Sequence, residues 1–257
     1  MVKYEKISCG SMYANMIENG YKDGHKSFHY VNWSGGTDST LLLYELLMTY
    51  GSKRVKAITW NYPWYHESKF NNESVCRDNF KEYMENKYSI KFDHVIMTVS
   101  NDNYSVFAKP GGNAQSVGWL MTIPLFMQDG DYFYDTSIRE DDIVPNRDHM
   151  ISLANEASIL LYRDITFRQP YLHLQKNEII SKLMYYGIYD YTWFCEFPRD
   201  DKICMNCAPC KLHYSALCTI EAFNTNQDVV ELAKKYKKKY KQIMIKQKKE
   251  RKVQIYE

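Results

Sequence analysis

Between a short apolar run, His29-Tyr30-Val31-Asn32-Trp33, and a leucine-rich one, Leu41-Leu42-Leu43-Tyr44-Glu45-Leu46-Leu47, stands Ser34-Gly35-Gly36-Thr37-Asp38-Ser39-Thr40. No other stretch constrains the fold as much, because this order reads as strand, tight turn and helix. The first run is short and partly β-branched; the second carries leucines at spacings of one, three and four. Two adjacent glycines allow backbone angles that side chains block. Ser39 and Thr40 open the predicted helix, where unpaired N–H groups and the positive end of the dipole favour a phosphate. Asp38 has the wrong sign for phosphate and the right one for a magnesium ion carried by a nucleotide. The plain structural alternative is a Gly-Gly turn capped by Asp or Ser.

The whole string is neither a Walker A loop nor a dinucleotide fingerprint, since neither Gly-Lys-Ser/Thr nor Gly-x-Gly-x-x-Gly is present. It resembles the Ser-Gly-Gly-x-Asp-Ser signature of the PP-loop ATP pyrophosphatases. That resemblance implies ATP binding, with pyrophosphate released as an adenylate forms.

The rest of the chain alternates in the same way. Strands are expected at Val55–Trp60, His94–Val99, Asp131–Thr136 and Ile165–Pro170. Helices are expected at Leu41–Tyr50, about Asn72–Lys87, Ala114–Met127 with a kink at Pro124, His149–Leu160 and Lys176–Tyr186, the last ended by Gly187. Strand–helix–strand units of this length imply right-handed parallel crossovers, hence a doubly wound, mainly parallel five-stranded α/β sheet. Open sheets of this kind bind ligands past their strand ends. The aromatic segment Tyr62–His66 and the charged loop after Ser137, with Glu140, Asp141 and Arg147, stand at such ends. No run of about 18 apolar residues occurs, so no membrane span is expected. The first residues lack a charged-then-apolar leader pattern, which makes a cytoplasmic address the expectation.

Seven cysteines occur, and four of them, Cys195, Cys204, Cys207 and Cys210, fall within sixteen residues. An odd total with this crowding argues for a metal rather than a disulfide framework. Four thiolates on a loop-like stretch suit tetrahedral zinc in a closed, structural role, and an iron–sulfur cluster competes for the same four ligands. Cys9, Cys76 and Cys218 read as small core residues.

Charge is unevenly spread. The chain carries a net +2. Lys234 to Lys252 holds eleven Lys or Arg against one acid, +10, which leaves −8 elsewhere. The helix-friendly stretch Val229–Lys252 reads either as a solvated, partly frayed terminal helix or as a contact for nucleic acid or an acidic surface. The acidic body supplies such a surface within a homodimer, the expected assembly. The expected organisation is an ATP-binding α/β domain at 1–190, a four-cysteine zinc subdomain at 191–227 and a basic helical tail at 228–257.

The loop and the cysteine cluster together resemble the 7-cyano-7-deazaguanine synthase family, over roughly residues 29–218. The cysteine spacing x8, x2, x2 is the family's. Pro170-Tyr171-Leu172-His173-Leu174-Gln175-Lys176-Asn177-Glu178-Ile179 resembles its Pro-Leu-Ile-x-Leu-Ser-Lys-x-Glu-Ile element. Thr192-Trp193-Phe194-Cys195 resembles its Thr-Trp-Ser-Cys, and Lys109–Asn113 its Val-Pro-x-Arg-Asn loop. The resemblance implies an adenine nucleotide alpha hydrolase-like fold, a C-terminal zinc-binding helical subdomain, and ATP, Mg2+ and Zn2+ as cofactors. It implies that 7-carboxy-7-deazaguanine and ammonia become 7-cyano-7-deazaguanine through an acyl-adenylate and an amide. On that reading Ser34, Gly35, Gly36, Thr37, Ser39 and Thr40 hold phosphates, Asp38 helps hold magnesium, and Lys176 neutralises growing phosphate charge. Glu140 or Asp141 would meet a guanine-like N–H edge.

The chain also departs from the pattern. Gly112 stands where the family has Arg, only the ends of Tyr62–His66 match, and Glu140–Arg147 lacks the aromatic-glycine middle of the family's substrate loop. An enzyme stopping at the amide, for DNA modification, remains an alternative. So do a PP-loop enzyme that modifies tRNA, a related enzyme that joins a nucleobase to a protein, and a zinc-bearing module without catalysis.

Overall fold

A computed structural model of the protein describes residues 27–61, 67–98, 114–141, 146–199 and 202–254. Five strands, β1 (His29–Asn32), β2 (Val55–Asn61), β3 (Asp93–Thr98), β4 (Tyr132–Tyr134) and β5 (Thr166–Arg168), form one sheet in the order β3-β2-β1-β4-β5. Every pairing is parallel. His29 lies opposite Val55 on one side and Tyr132 on the other. Sequence order thus reverses at β1, the point in a doubly wound sheet where a crevice opens beyond the strand ends.

Helix α1 (Thr37–Tyr50) follows β1. It is buried on nearly every side, with Leu41, Leu42, Leu43, Leu46 and Leu47 all at most 2% exposed. A helix apolar all round belongs inside a protein rather than on its surface. It begins at Thr37, earlier than the leucine pattern suggested, because the polar residues of the loop already adopt helical geometry. Helix α2 (Glu67–Tyr88) likewise starts before its expected Asn72. Helix α3 (Ala114–Thr122) gives way to a 3-10 turn at Ile123–Phe126, with Pro124 in its first turn. A proline cannot donate the hydrogen bond that would continue an α-helix, so the expected kink is a helix end. Helix α4 (Arg147–Leu160) completes the sheet's crossovers.

Three further helices follow, α5 (Lys176–Tyr186), α6 (Ala208–Phe223) and α7 (Gln227–Gln254). The first matches its expected bounds: Gln175 N–H donates to the Glu178 carboxylate at 2.8 Å at its start, and Gly187 ends it with φ 72°. The resemblance implied a helical subdomain here, but the residue pattern gave α6 no bounds. The cysteine stretch is not all loop, since Cys210 lies in the first turn of that helix. Pro209, at a position where proline starts helices, was the available signal.

By its internal contacts the chain divides into two compact units. The described residues of Met1–Ser34, Leu42–Trp64 and Tyr83–His173 make the first, which holds the sheet. Those of Gly35–Leu41, Tyr65–Glu82 and Leu174–Glu257 make the second. The first has its core in Val31, Trp33, Phe133, Tyr134 and Phe167 and the leucines of α1 after Leu41. In the second, α7 packs on α5 and α6. Val229, Val230, Ala233, Tyr236 and Tyr240 are buried along one face of α7. The reading of 229–252 as a solvated, frayed helix therefore fails at least as far as Tyr240. Spacings of three and four along that apolar face were its signal.

No helix among the described residues is long and apolar enough to cross a membrane.

Candidate functional site

The loop leaving β1 turns on Gly35, whose φ is 93°. A Cβ there would lie 2.8 Å from the Glu73 carbonyl oxygen and 3.0 Å from Arg77 Cγ. Two constraints, left-handed backbone and lack of room, thus select glycine at this one position. The floor beneath it is a face of α2: Lys69, Glu73 and Arg77 repeat at intervals of four. Arg77 is 1% exposed, with its guanidinium 5.0 Å from the centre of the Phe70 ring. On its other side the loop is sewn to the segment before the cysteines. Trp193 N–H donates to the Gly35 carbonyl at 3.0 Å, and Gly36 pairs with Trp193 in a parallel bridge.

Helical hydrogen bonding begins with Thr40 N–H donating to the Gly36 carbonyl at 3.1 Å. The first-turn N–H groups before it point out of the end of α1, the arrangement that receives anions. Asp38 sits in this first turn. Its Oδ2 accepts from Lys176 Nζ at 2.6 Å and from Thr37 Oγ1 at 3.3 Å. Its Oδ1 is buried and meets no hydrogen-bond partner among the described residues. A buried carboxylate oxygen without a donor is costly unless a cation completes it. The donor set therefore fits a hard divalent ion such as Mg2+, which takes one or two carboxylates plus phosphate oxygens. Lys176 is 8% exposed and occupies the first position of α5. A cation at the positive end of a helix is electrostatically unfavourable there. The helix alone gives no reason for a lysine at this position, whereas Asp38 does.

Beside the loop, Lys69 Nζ reaches both oxygens of Glu196 at 2.9 Å and stands 3.9 Å from Glu73. Burial pushes the Glu73 carboxyl up to about 7, with Lys69 and Arg77 opposing that rise. The ladder Lys69–Glu73–Arg77 was legible as residues four apart, while Glu196 carried no signal beyond its place after Cys195.

Cys195, Cys204, Cys207 and Cys210 come together with all four Sγ atoms within 4.8 Å of one another. Cys204 and Cys210 are 3.9 Å apart, close to the roughly 3.8 Å between sulfurs of a tetrahedron with metal–sulfur bonds of about 2.3 Å. Backbone N–H groups orient the sulfurs. Cys204 donates to Cys195 Sγ at 3.2 Å, and Asn206 and Cys207 donate to Cys204 Sγ at 3.4 Å. The turn that permits this carries Met205 at φ 52°. The Cys210 thiol, then the Cys204 N–H, hold Cys195 at about 6, favouring its thiolate. Trp193 Nε1–H donates to the Cys195 carbonyl at 2.8 Å, so a single tryptophan links the cluster to the phosphate loop. Burial pushes Cys76 up to about 11, as suits an inert core thiol, and Cys218 is half-buried.

Behind the cluster lies a buried polar network that the sequence did not announce. Tyr189 is hydrogen-bonded to His213 Nε2 at 2.6 Å and to Tyr240 at 3.0 Å, and Tyr236 donates to Asp190 at 2.5 Å. Phe194 stacks on His213 at 3.6 Å. Burial, and then the charge of Lys176, drives His213 far below its usual range, so the ring is neutral.

Glu140, Asp141 and Arg147 belong to the first unit. Glu140 is exposed. Asp141 Oδ2 accepts the Ile138 N–H at 2.7 Å, closing its own turn, and Arg147 Nε donates to Gln169 Oε1 at 3.3 Å. Sequence reading did not single out Asp135, which stands directly after β4. It is buried and accepts from Ser137 Oγ at 2.6 Å and Gln169 Nε2 at 2.8 Å. Burial raises its carboxyl despite those bonds. The expectations at Tyr62–His66, Lys109–Asn113 including Gly112, residues 142–145 and Cys9 lie outside the described residues.

No protein-family description matches the sequence. No curated protein matches it either. Solved structures do. An NMN synthetase from Francisella tularensis aligns with a TM-score of 0.41 at 10% identity, over 89% of this chain and 91% of that one. The U34-tRNA thiolase NcsA from Methanococcus maripaludis, solved with its [4Fe-4S] cluster, gives 0.43 at 11% identity over 89% and 78%. A glutamine-dependent NAD+ synthetase from Acinetobacter baumannii, in complex with ADP, gives 0.38 at 14% identity, over 83% of this chain but 40% of that one.

Proposed function

We propose that the protein is an ATP-dependent enzyme of the PP-loop kind that activates a carboxylate as its adenylate. The observation that carries this reading is the pairing of Asp38 with Lys176 at the mouth of a glycine-built anion loop, with Asp38 Oδ1 left over for a cation. Backbone N–H groups of the α1 terminus would take phosphate oxygens. Asp38 would hold the magnesium ion that arrives with ATP, which supplies charge neutralisation at the phosphates. Lys176 would shift part of its contact from Asp38 to the pyrophosphate as negative charge grows there. Attack of the substrate carboxylate on the α-phosphorus breaks the α–β bridge and gives acyl-adenylate and pyrophosphate. The protein contributes placement and charge rather than covalent chemistry.

The substrate we infer is 7-carboxy-7-deazaguanine, on the resemblance of the loop, the Lys176 element and the cysteine spacing. Ammonia would displace AMP to give the amide. Adenylation of the amide oxygen by a second ATP, then loss of AMP and a proton, would leave the nitrile. The tight grouping of the four thiols supports one tetrahedral ion such as zinc over an iron–sulfur cubane, whose thiolates each bind a different iron. Mass spectrometry of protein, 7-carboxy-7-deazaguanine, ATP, Mg2+ and ammonium tests the reading. The nitrile mass is the expected result. An accumulating amide would place the endpoint one step earlier, and no consumption of the acid by folded, metal-loaded protein would overturn the substrate.

A further inference from the structure

We infer that the solvent face of α7 is a docking surface for the phosphodiester backbone of a nucleic acid. The inference stands on α7 alone and not on the substrate proposed above.

From Leu232 to Lys249 the chain carries nine lysines and no acid. Tyr236 and Tyr240 fix this helix from within, through Asp190 and Tyr189. With one face anchored, the other is turned to solvent. Lys235, Lys238, Lys239, Lys241 and Lys246 are all exposed on it. Lys234 is paired with Glu231 at 2.7 Å, and Lys237 with Glu221, so both stand apart from this row. Lys235 and Lys239 are four apart, a like-charge spacing that destabilises a helix. The phosphates of a bound polyanion neutralise that repulsion, and the counterions released from the polyanion drive the association.

Length and composition favour phosphates over other anions. Lys235 to Lys246 spans about 16 Å at 1.5 Å per residue, on the order of five phosphates along one strand of a duplex. Both tyrosines of the helix are turned inward, 5% and 4% exposed, so they offer no stacking platform for unpaired bases. A row of point-charge lysines contacts backbone and does not read sequence. The surface thus fits a duplex or a stem, held without base preference. The remainder of the chain carries −8 and so adds no net attraction for the same polyanion.

Fluorescence anisotropy of the full chain with a labelled duplex of about 20 base pairs and with an RNA stem, from about 50 to 200 mM salt, tests this. The expected affinity falls about 100-fold over that range, as about four released counterions require. The variant Lys235→Gln/Lys238→Gln/Lys239→Gln/Lys241→Gln replaces exposed residues with a good helix former. It should melt as the parent does, bind at least about tenfold more weakly and lose most of the salt slope. A control, Lys53→Gln/Lys81→Gln/Lys87→Gln/Lys91→Gln, removes the same charge elsewhere and should leave binding intact. Equal weakening by both sets would mean net charge alone and would overturn the site. No anisotropy change at low salt would overturn it as well. So would a shift from dimer to monomer in sedimentation caused by the first set alone, which would assign this face to a second copy's acidic surface.

Discussion

Lys176 donates to Asp38 at 2.6 Å across 138 positions of sequence, and the two side chains are 10% and 21% exposed. Each is the other's reason for being there. Lys176→Met leaves the Asp38 carboxylate buried without its cation, and Asp38→Asn leaves an unpaired ammonium. Breaking a buried pair from one side costs roughly 3–5 kcal/mol, while removing both partners costs less. Thermal melts should therefore show each single variant destabilised and the double variant Asp38→Asn/Lys176→Met recovering part of the loss. Pyrophosphate release should show no such recovery. It should fall by about two to three orders of magnitude in all three, since charge stabilisation at the phosphates is lost in each. Parallel recovery of activity and stability in the double variant would reduce the pair to a structural one.

At Gly35 the expected effect is both local and functional. Gly35→Ala must accept φ 93° and a Cβ 2.8 Å from a backbone oxygen that cannot move without shifting α2. A destabilisation of about 2–3 kcal/mol is expected, with loss of nucleotide binding. Gly187→Ala is the comparison, because its φ is 72° but nothing lies within 4 Å of the added carbon. It should cost about 1–2 kcal/mol and leave nucleotide affinity unchanged, as followed by melting and ATP titration.

The contrast between these glycines shows what the sequence could carry. Strand, turn and helix around Ser34–Thr40 were legible because periodicity and turn chemistry are local properties. Lys176–Tyr186 was legible to the residue, since a glycine with left-handed backbone ends it. Parallel pairing followed from the crossovers, and the structure makes every pairing parallel, whereas the strand order had no local signal. Local signals do not report which face of α2 lies under Gly35. They do not report that Trp193 ties the loop to the cysteines, or that Tyr189, His213 and Tyr240 meet. Those contacts join residues far apart in the chain and depend on packing. By ligand spacing Cys210 reads as part of a loop, although Pro209 beside it is a helix-start signal.

Acid stability should report on His29. The ring lies buried between Tyr50 at 3.7 Å and Tyr132 at 5.1 Å, and it is hydrogen-bonded to the Tyr134 hydroxyl at 3.0 Å. Burial, with the charges of Arg54 and Arg168 adding to it, lowers its pKa to about 3. The unfolded chain, near 6.5, binds the proton more readily than the folded one between these values. Stability contributed by His29 is therefore present above about pH 6.5 and is lost as pH falls toward about 3, by on the order of 5 kcal/mol. His29→Phe keeps the stack and removes the titration. Denaturant midpoints from about pH 7 to about pH 4 should fall more steeply in the parent than in this variant. Parallel slopes would mean that other groups govern the acid limb.

Metal removal should act on both the cluster and the loop. The four thiols lie close enough together to hold one ion, and Cys195, at about 6, already favours its thiolate. The purified protein is expected to carry one zinc per chain by elemental analysis, without acid-labile sulfide. Cys204→Ser should lose that zinc and lower Tm by about 10 °C, the shift that roughly 4 kcal/mol produces in a chain of this size. Cys76→Ser alters a buried thiol away from the four and should keep full zinc content. Trp193 hydrogen-bonds the Cys195 carbonyl and the Gly35 carbonyl at 2.8 and 3.0 Å. Stripping the metal should therefore weaken ATP binding in step with zinc content, at temperatures well below the melt. Undiminished ATP affinity in folded, zinc-free protein would confine the metal to holding the cysteine turn together, and iron with sulfide in place of zinc would overturn the single-ion reading.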